Sequence, residues 1–277
     1  LETGIPRTDI AVYRDGFLTT AARGVRDLSL DATAPARLVD TESLETAGFT
    51  VQCVDPIGLA EAGTIGDAGT LFPEGPAYRG LVVDERMLPP EAAEAIAEAA
   101  ERGVRVVVVG EPPSADSGFA HGSAGDERVR AAIARVLTMP LTVQVEAMAD
   151  APDAFARLGL VPRVTVDGAA LLSQWREAGS SRYVLVYNTL SQSAGVRLSF
   201  EGVGRVRELD LASGRVLAAP HAARGGRTSV PTSIPALGVR VFEFDLLAEP
   251  EPVVDVRRDD TVELALEDWH LHVLSEE

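Results

Sequence analysis

The sequence contains no lysine, because all 25 of its basic residues are arginine. A P-loop lysine, a Schiff-base lysine and a lysine general base are therefore excluded. The chain has a single cysteine, Cys53. An internal disulfide, a Cys-x-x-Cys redox pair and a cysteine-rich zinc site are excluded as well. Since Cys53 lies inside a predicted strand, we expect it to be a core residue.

Long apolar runs are also missing. No stretch of about 18 uncharged apolar residues occurs, so we predict no membrane-spanning segment and no membrane partner. The 25 basic and 42 acidic residues give a net charge of −17. Such an acidic surface repels phosphate backbones, so we expect no nucleic-acid partner. The chain begins at Leu1 without an initiator methionine or a signal peptide, and we expect it to be a piece of a longer or processed protein.

The first half of the sequence alternates between strand and helix patterns. Its clearest unit has a buried strand over 80–84, an alanine-rich helix over 91–102 and an almost all-valine strand over 104–109. A strand, a helix and a second strand within about 30 residues indicate a parallel βαβ crossover. Further elements are predicted as strands over 9–14, 49–54 and 141–146, helices over 41–48, 126–137 and 152–158, and a loop over 63–76.

After about residue 160 the pattern changes to short runs of period two separated by turns. The predicted strands lie at 164–167, 170–176, 182–188, 195–200, 204–211, 214–218 and 238–245. This spacing is typical of an antiparallel β-sandwich. The sequence therefore predicts an α/β domain over 1–160 and a β-sandwich domain over 161–277 that ends in an acidic tail.

Three carboxylates follow the predicted parallel strands: Asp15, Asp84 and Glu111. Open α/β sheets bind ligands at this edge, and a carboxylate pair there could act as general acid and base. Because an acidic protein carries carboxylates everywhere, we favour a solvated role for them. His121 lies in a glycine-rich loop over 118–125 and could be a base only beside a nucleophile, which the sequence does not show.

The familiar catalytic and cofactor motifs are absent from the sequence. There is no G-x-S-x-G elbow and no glycine-rich phosphate cradle after the first strand, and Gly110 rather than a cysteine follows the strand over 104–109. We expect no cofactor. His270 and His272 share one side of a predicted strand, but we favour half-exposed histidines over a metal site. Trp175 and Trp269 could stack on sugar rings, and we favour packing roles for both.

One resemblance is more specific than a fold class. Successive blocks of the chain resemble α-L-rhamnosidase-like proteins of glycoside hydrolase family 106. The resemblance extends over most of the chain, through blocks at 4–14, 47–56, 78–83, 87–91, 101–113, 170–176, 183–188, 209–215 and 269–271. The resemblance implies a flavodoxin-like, amidotransferase-like α/β domain followed by the β-sandwich. It also implies that the catalytic carboxylates belong to a barrel outside the matched region, so no catalytic residue is carried over.

We therefore expect an accessory region of a secreted glycoside hydrolase. Its expected partners are the catalytic domain of the parent protein, carbohydrate or a second copy of the chain, and its expected location is extracellular. One alternative is a hydrolase in its own right that uses Asp84, Glu111 or His121 in a pocket with two carboxylates about 5–10 Å apart. Another is a carbohydrate-binding module with an exposed platform from Trp175, Tyr183 or Trp269.

Overall fold

The computed structural model describes residues 3–14, 41–61, 65–66, 69–118 and 120–248. Asp15, Trp269, His270, His272 and the predicted acidic tail lie outside the described residues. Within the described part of the chain, no helix is long and apolar enough to cross a membrane.

The described elements comprise nineteen strands, five α-helices and one 3-10 turn. The strands are β1 (Ile5–Arg7), β2 (Ile10–Tyr13), β3 (Val51–Val54), β4 (Ile65–Gly66), β5 (Thr70–Leu71), β6 (Gly80–Val83), β7 (Met87–Leu88), β8 (Arg105–Val109), β9 (Ala115–Asp116), β10 (Thr142–Val145), β11 (Val164–Asp167), β12 (Leu172–Ala178), β13 (Ser181–Tyr187), β14 (Ala194–Glu201), β15 (Arg205–Leu209), β16 (Val216–Ala218), β17 (Ala222–Arg224), β18 (Arg227–Ile234) and β19 (Val239–Asp245). The helices are α1 (Glu42–Thr46), α2 (Pro56–Glu61), α3 (Pro90–Glu101), α4 (Gly122–Leu137) and α5 (Ala151–Arg157), and Met148–Asp150 form the 3-10 turn.

Five of the strands form a parallel sheet in the order β3-β2-β6-β8-β10. Numbered along the chain within this sheet, the order is 2-1-3-4-5, which is that of the doubly wound flavodoxin-like fold. The βαβ crossover predicted over 80–109 is confirmed as β6, α3 and β8.

Helices cover both faces of the parallel sheet, and the alternation along each strand decides which residues meet which helices. On β8, Val106 and Val108 join the core that includes Ile96 of α3, whereas Val107 and Val109 join the core that includes Phe155 of α5. Burial on both faces explains the almost all-valine sequence of this strand.

The remaining large sheets are antiparallel and pack face to face as a β-sandwich. One has six strands in the order β1-β12-β13-β19-β15-β16, and the other has four in the order β11-β14-β18-β17. Their shared core contains Phe200 from the smaller sheet and Phe242 and Phe244 from the larger one. The Phe200 ring centroid lies 5.8 Å from that of Phe242 and 6.0 Å from that of Phe244. The α/β plus β-sandwich fold class is thus confirmed.

The strand β1 lies within the predicted first domain but pairs with β12 of the sandwich, with Ile5 opposite Glu177. The division of the chain at residue 160 stays a prediction.

Cys53 is not the core residue that the sequence predicts, because it is exposed. It lies on β3, the last strand in the sheet order, where both Gln52 and Cys53 are exposed. A second difference is that α4 begins at Gly122, four residues before the predicted start at 126, so the end of the glycine-rich loop is helical.

Candidate functional site

The carboxyl-terminal edge of the parallel sheet is where this fold type binds ligands, at the point where the strand order reverses. Here that point lies between β2 and β6, which end at Tyr13 and Val83. Arg14 Nη1 donates to Glu85 Oε1 at 3.0 Å, and Arg14 Nη2 lies 3.8 Å from Asp84 Oδ2. The side chains of Arg14 and Glu85 are only 15% and 13% exposed. A largely buried ion pair therefore occupies this position, with Asp84 beside it.

Glu111 follows β8 at the same edge and is paired with Arg86 at 3.2 Å. Both side chains are more than two-thirds exposed. Solvent screens such a pair strongly, so it contributes little to stability and leaves Glu111 accessible.

An open groove of about 1080 Å³ lies beside Glu111, at the ends of β8 and β10. The groove is lined by Arg86, Gly110, Glu111, Gln144, Val145, Glu146, Asp150, Asp153, Ala156 and Arg157. Gln144 Nε2 donates to the Gly110 carbonyl at 2.8 Å, which ties the two strand ends together. Of the candidate residues from the sequence, Glu111 lines the groove, whereas Asp84 and His121 are not among its lining residues.

His121 immediately precedes α4 and is held by a residue that the sequence reasoning missed. Its Nδ1 lies 3.0 Å from Oδ2 of Asp116, whose side chain is only 3% exposed. The backbone N–H of Gly118 donates to Asp116 Oδ1 at 2.8 Å. The Gly118 N–H and the His121 ring hold the pKa of Asp116 below its ordinary value, although desolvation by burial opposes them. The only sequence signal was an aspartate five residues before a histidine, which is not specific.

The Asp116 carboxylate favours the tautomer of His121 that carries its proton on Nδ1, which makes Nε2 the basic nitrogen. In the residues that the structure describes, no serine, threonine or cysteine side chain hydrogen-bonds to His121. Asp116 and His121 thus form two members of a nucleophile-activating arrangement, and the part of the chain that the structure describes supplies no third.

Trp175 lies inside the β-sandwich and is 3% exposed. Its Nε1 donates to Glu177 at 3.3 Å, and its ring meets that of Phe244 edge-on at 6.5 Å. This placement supports the packing role, since the ring has no open face for a sugar. No group of three or more potential metal ligands occurs among the described residues.

Comparisons with known proteins find similar structures but no matching family profile or curated protein. Among solved structures, a rhamnosidase from Novosphingobium sp. PP1Y matches with a TM-score of 0.70 and 18% identity, over 92% of this chain and 24% of that enzyme. An alpha-L-fucosidase isoenzyme 2 from Paenibacillus thiaminolyticus matches with a TM-score of 0.54 and 9% identity, over 88% of this chain and 49% of that enzyme.

At these identities the likeness shows the fold alone. The fold of this chain is one that occurs within glycoside hydrolases. The chain spans about a quarter of the length of the rhamnosidase and about half that of the fucosidase.

Proposed function

We propose that this chain is an accessory, non-catalytic region of a secreted glycoside hydrolase resembling α-L-rhamnosidases, and that it braces the catalytic barrel or its substrate cleft. The observation that carries the proposal is the unequal coverage of the rhamnosidase match. Nearly all of this chain, 92%, corresponds to only 24% of the rhamnosidase. Most of an enzyme of that kind therefore lies outside the region that this fold represents.

The geometry of the sheet edge supports the same role. A glycosidase needs two carboxyl groups that flank one bond. Here the two described candidates have separate surroundings, since Asp84 lies by the Arg14–Glu85 pair and Glu111 pairs with Arg86. Of these two candidates only Glu111 lines the groove, which it shares with Glu146, Asp150 and Asp153.

The proposal is tested by deleting this region from the full product of its gene. The variant that lacks the region is compared with the intact protein for melting temperature and for the kcat and KM of aryl α-L-rhamnoside hydrolysis. We expect the deletion to lower the melting temperature and impair hydrolysis, because the barrel loses a packing partner. Unchanged values of all three would contradict a bracing role, as would a full gene product that contains no further domain.

The Asp116–His121 pair favours a second candidate function, a hydrolase that works in this chain alone. A buried carboxylate that orients a histidine is an arrangement that enzymes use to build a general base. This candidate requires that the chain alone hydrolyse a glycoside or an ester and that His121→Ala abolish the activity. His221→Ala is the matched control, because His221 is buried in the sandwich with its Nδ1 2.8 Å from the Ala219 carbonyl. An inactive chain excludes this candidate.

Carbohydrate binding by the sandwich is the less favoured alternative, because Trp175 is buried and Tyr183 is half-buried. Affinity electrophoresis of the chain in gels containing soluble polysaccharides tests it, with retardation as the supporting result. The extracellular location belongs to the main proposal and is tested by detecting the full gene product in the culture medium of its host.

A further inference from the structure

The edge of the parallel sheet opposite the candidate site carries a cluster of charged residues drawn from both halves of the fold. We call Asp9, Arg79, Arg163, Glu201 and Arg227 the junction cluster. Asp9 and Arg79 immediately precede β2 and β6 of the parallel sheet. Arg163 precedes β11, and Glu201 and Arg227 lie on β14 and β18, so these three belong to the sandwich.

Asp9 is the centre of the junction cluster. It is 1% exposed, and its Oδ1 accepts hydrogen bonds from Arg79 Nη2 and, at 2.8 Å, from Arg163 Nη1. Its Oδ2 accepts from the backbone N–H and the hydroxyl of Thr50 at 3.2 and 3.1 Å. One buried carboxylate is thus held by an arginine from each half of the fold.

The two arginines also reach across the junction in opposite directions. Arg79, from the parallel-sheet region, donates to Glu201 Oε2 at 2.9 Å and to the Val161 carbonyl at 2.9 Å. Arg163, from the sandwich, donates to the Ala77 carbonyl at 2.9 Å. Each guanidinium therefore bridges a carboxylate and a main-chain carbonyl, which a single lysine ammonium cannot reproduce with the same fork geometry.

Arg227 completes the cluster on the sandwich side. Its Nη2 donates to the carbonyls of Ser199, Pro162 and Arg163 at 2.7, 3.1 and 3.2 Å. Pro162 and Arg163 belong to the segment that links the two halves of the fold. The bonds from Arg227 hold this segment beside Ser199 of β14. Burial lowers the pKa of Arg163, and the neighbouring Arg79 lowers it further. Arg79 and Arg163 therefore share the Asp9 carboxylate, and removing Asp9 would leave their two guanidinium groups facing each other without it.

A second set of contacts crosses the junction near β1. Arg7 Nη1 donates to the carbonyls of Pro73 and Gly75 at 2.5 and 2.6 Å, while its Nε donates to Glu177 of β12 at 2.9 Å. These bonds join the sandwich to the loop before β6, on the same side of the parallel sheet as Asp9.

We propose that the junction cluster, with Asp9 at its centre, couples the parallel-sheet region and the β-sandwich into one cooperative unit. Breaking a buried ion pair by removing one partner is strongly destabilising, because it leaves an uncompensated charge. Without Asp9 the contacts between the halves weaken while each half keeps its own core, so the halves unfold separately. This proposal holds whether or not the chain is an accessory region.

The test uses one optical probe for each half. All α-helices in the described residues lie in the parallel-sheet region, so circular dichroism at 222 nm reports on that half. Trp175 is buried in the sandwich core, so its fluorescence reports on the other half. A Trp269→Phe background leaves Trp175 as the single tryptophan, and both signals are followed during thermal unfolding.

We expect coincident midpoints in the background protein and midpoints separated by about 5 °C or more in Asp9→Asn. Arg163→Lys should also separate the two midpoints, because lysine keeps the charge but cannot make the paired guanidinium hydrogen bonds. If Asp9→Asn does not fold, the result for Arg163→Lys alone tests the coupling. Asp167→Asn is the matched control at an exposed position of β11 and should keep the midpoints together. Midpoints that already differ in the background protein, or that stay coincident in both junction variants, would overturn the proposal.

Discussion

Nδ1 of His121 lies 3.0 Å from Oδ2 of Asp116, although the two residues stand at opposite ends of the loop between β9 and α4. This short distance between Asp116 and His121 depends on Gly125, which lies in the first turns of α4. A Cβ atom at Gly125 would lie 2.3 Å from Asp116 Oδ2, far inside van der Waals contact. The absence of a side chain at one helix position therefore provides the space that Asp116 occupies.

Gly125→Ala should displace Asp116 and break its bond to His121. We expect the melting temperature to fall by about 3–10 °C, because overpacking forces neighbouring groups out of their preferred positions. Gly195→Ala is the matched control, since a Cβ atom there meets nothing within 4 Å. Differential scanning calorimetry of both variants checks the prediction. Equal melting temperatures would show that Asp116 moves aside without cost.

The stabilising effect of the Asp116 charge should depend on pH. The Gly118 N–H and His121 lower the folded-state pKa of Asp116 below its unfolded value, so the charged form favours folding. This stability is fully present above the unfolded pKa, about 3.9, and is lost as the pH falls through the folded-state pKa. Urea unfolding of the wild type and Asp116→Asn from pH 7 to pH 3 measures it. We expect the difference in unfolding free energy to shrink below about pH 4. A difference in unfolding free energy that stays constant from pH 7 to pH 3 would contradict a lowered folded-state pKa of Asp116.

Asn188 ties two loops of the sandwich together from a fully buried position. Its Nδ2 donates to the carbonyls of Gln192, Ile234 and Pro235 at 2.9, 3.2 and 3.0 Å, and its Oδ1 accepts from the Leu190 N–H at 3.0 Å. Asn188→Ala should lower the free energy of unfolding by about 2–4 kcal/mol, because it removes the hydrogen-bond partner of several main-chain groups.

Chemical denaturation of Asn188→Ala checks this value. Gln192→Ala is the control, because the exposed Gln192 contributes only its main-chain carbonyl to the network. If both variants lose the same stability, the Asn188 side chain is not the source of the effect.

Cys53 should be alkylated in the folded protein, because it is exposed on β3. Partial burial raises the pKa of the Cys53 thiol above its ordinary value, with Arg14 opposing the shift. Since the thiolate is the reactive form, the rate of iodoacetamide alkylation should keep rising at higher pH in the folded protein than in urea. Intact-mass spectrometry over a pH series measures both rates. A folded protein that resists alkylation, or two identical pH profiles, would contradict this.

The parts of the fold that the sequence predicts well are those with strong local patterns. The strand, helix and strand over 80–109 repeat their periodicity within one continuous segment, and the structure places β6, α3 and β8 there. The predicted strands over 164–167 and 238–245 correspond to β11 and β19.

The missed elements depend on distant partners. β18 contains Pro231, which discourages a strand prediction, but β17 pairs only with residues up to Ser229. Pro231 therefore lies beyond the end of β17, at a strand edge where its missing N–H costs little. β1 has three residues and pairs with β12, about 170 positions away along the chain, which no local pattern reveals.

The candidate site shows the same limit. The sequence places Asp84 and Glu111 after parallel strands, and the structure confirms that they follow β6 and β8. Their arginine partners, and the buried Asp116 beside His121, are set by tertiary packing. In a chain with 42 acidic residues, composition alone does not identify which carboxylates are buried.

The fold of this chain occurs within glycoside hydrolases, and we propose that the chain does not hydrolyse glycosides by itself. The most direct test is the hydrolysis of a panel of aryl glycosides, α-L-rhamnoside included, by the 277-residue chain and by the full product of its gene. We expect turnover by the full gene product and none by the chain alone. Turnover by the chain alone that is lost in Glu111→Gln or His121→Ala would contradict this proposal and would place the catalytic groups at the edge of the parallel sheet.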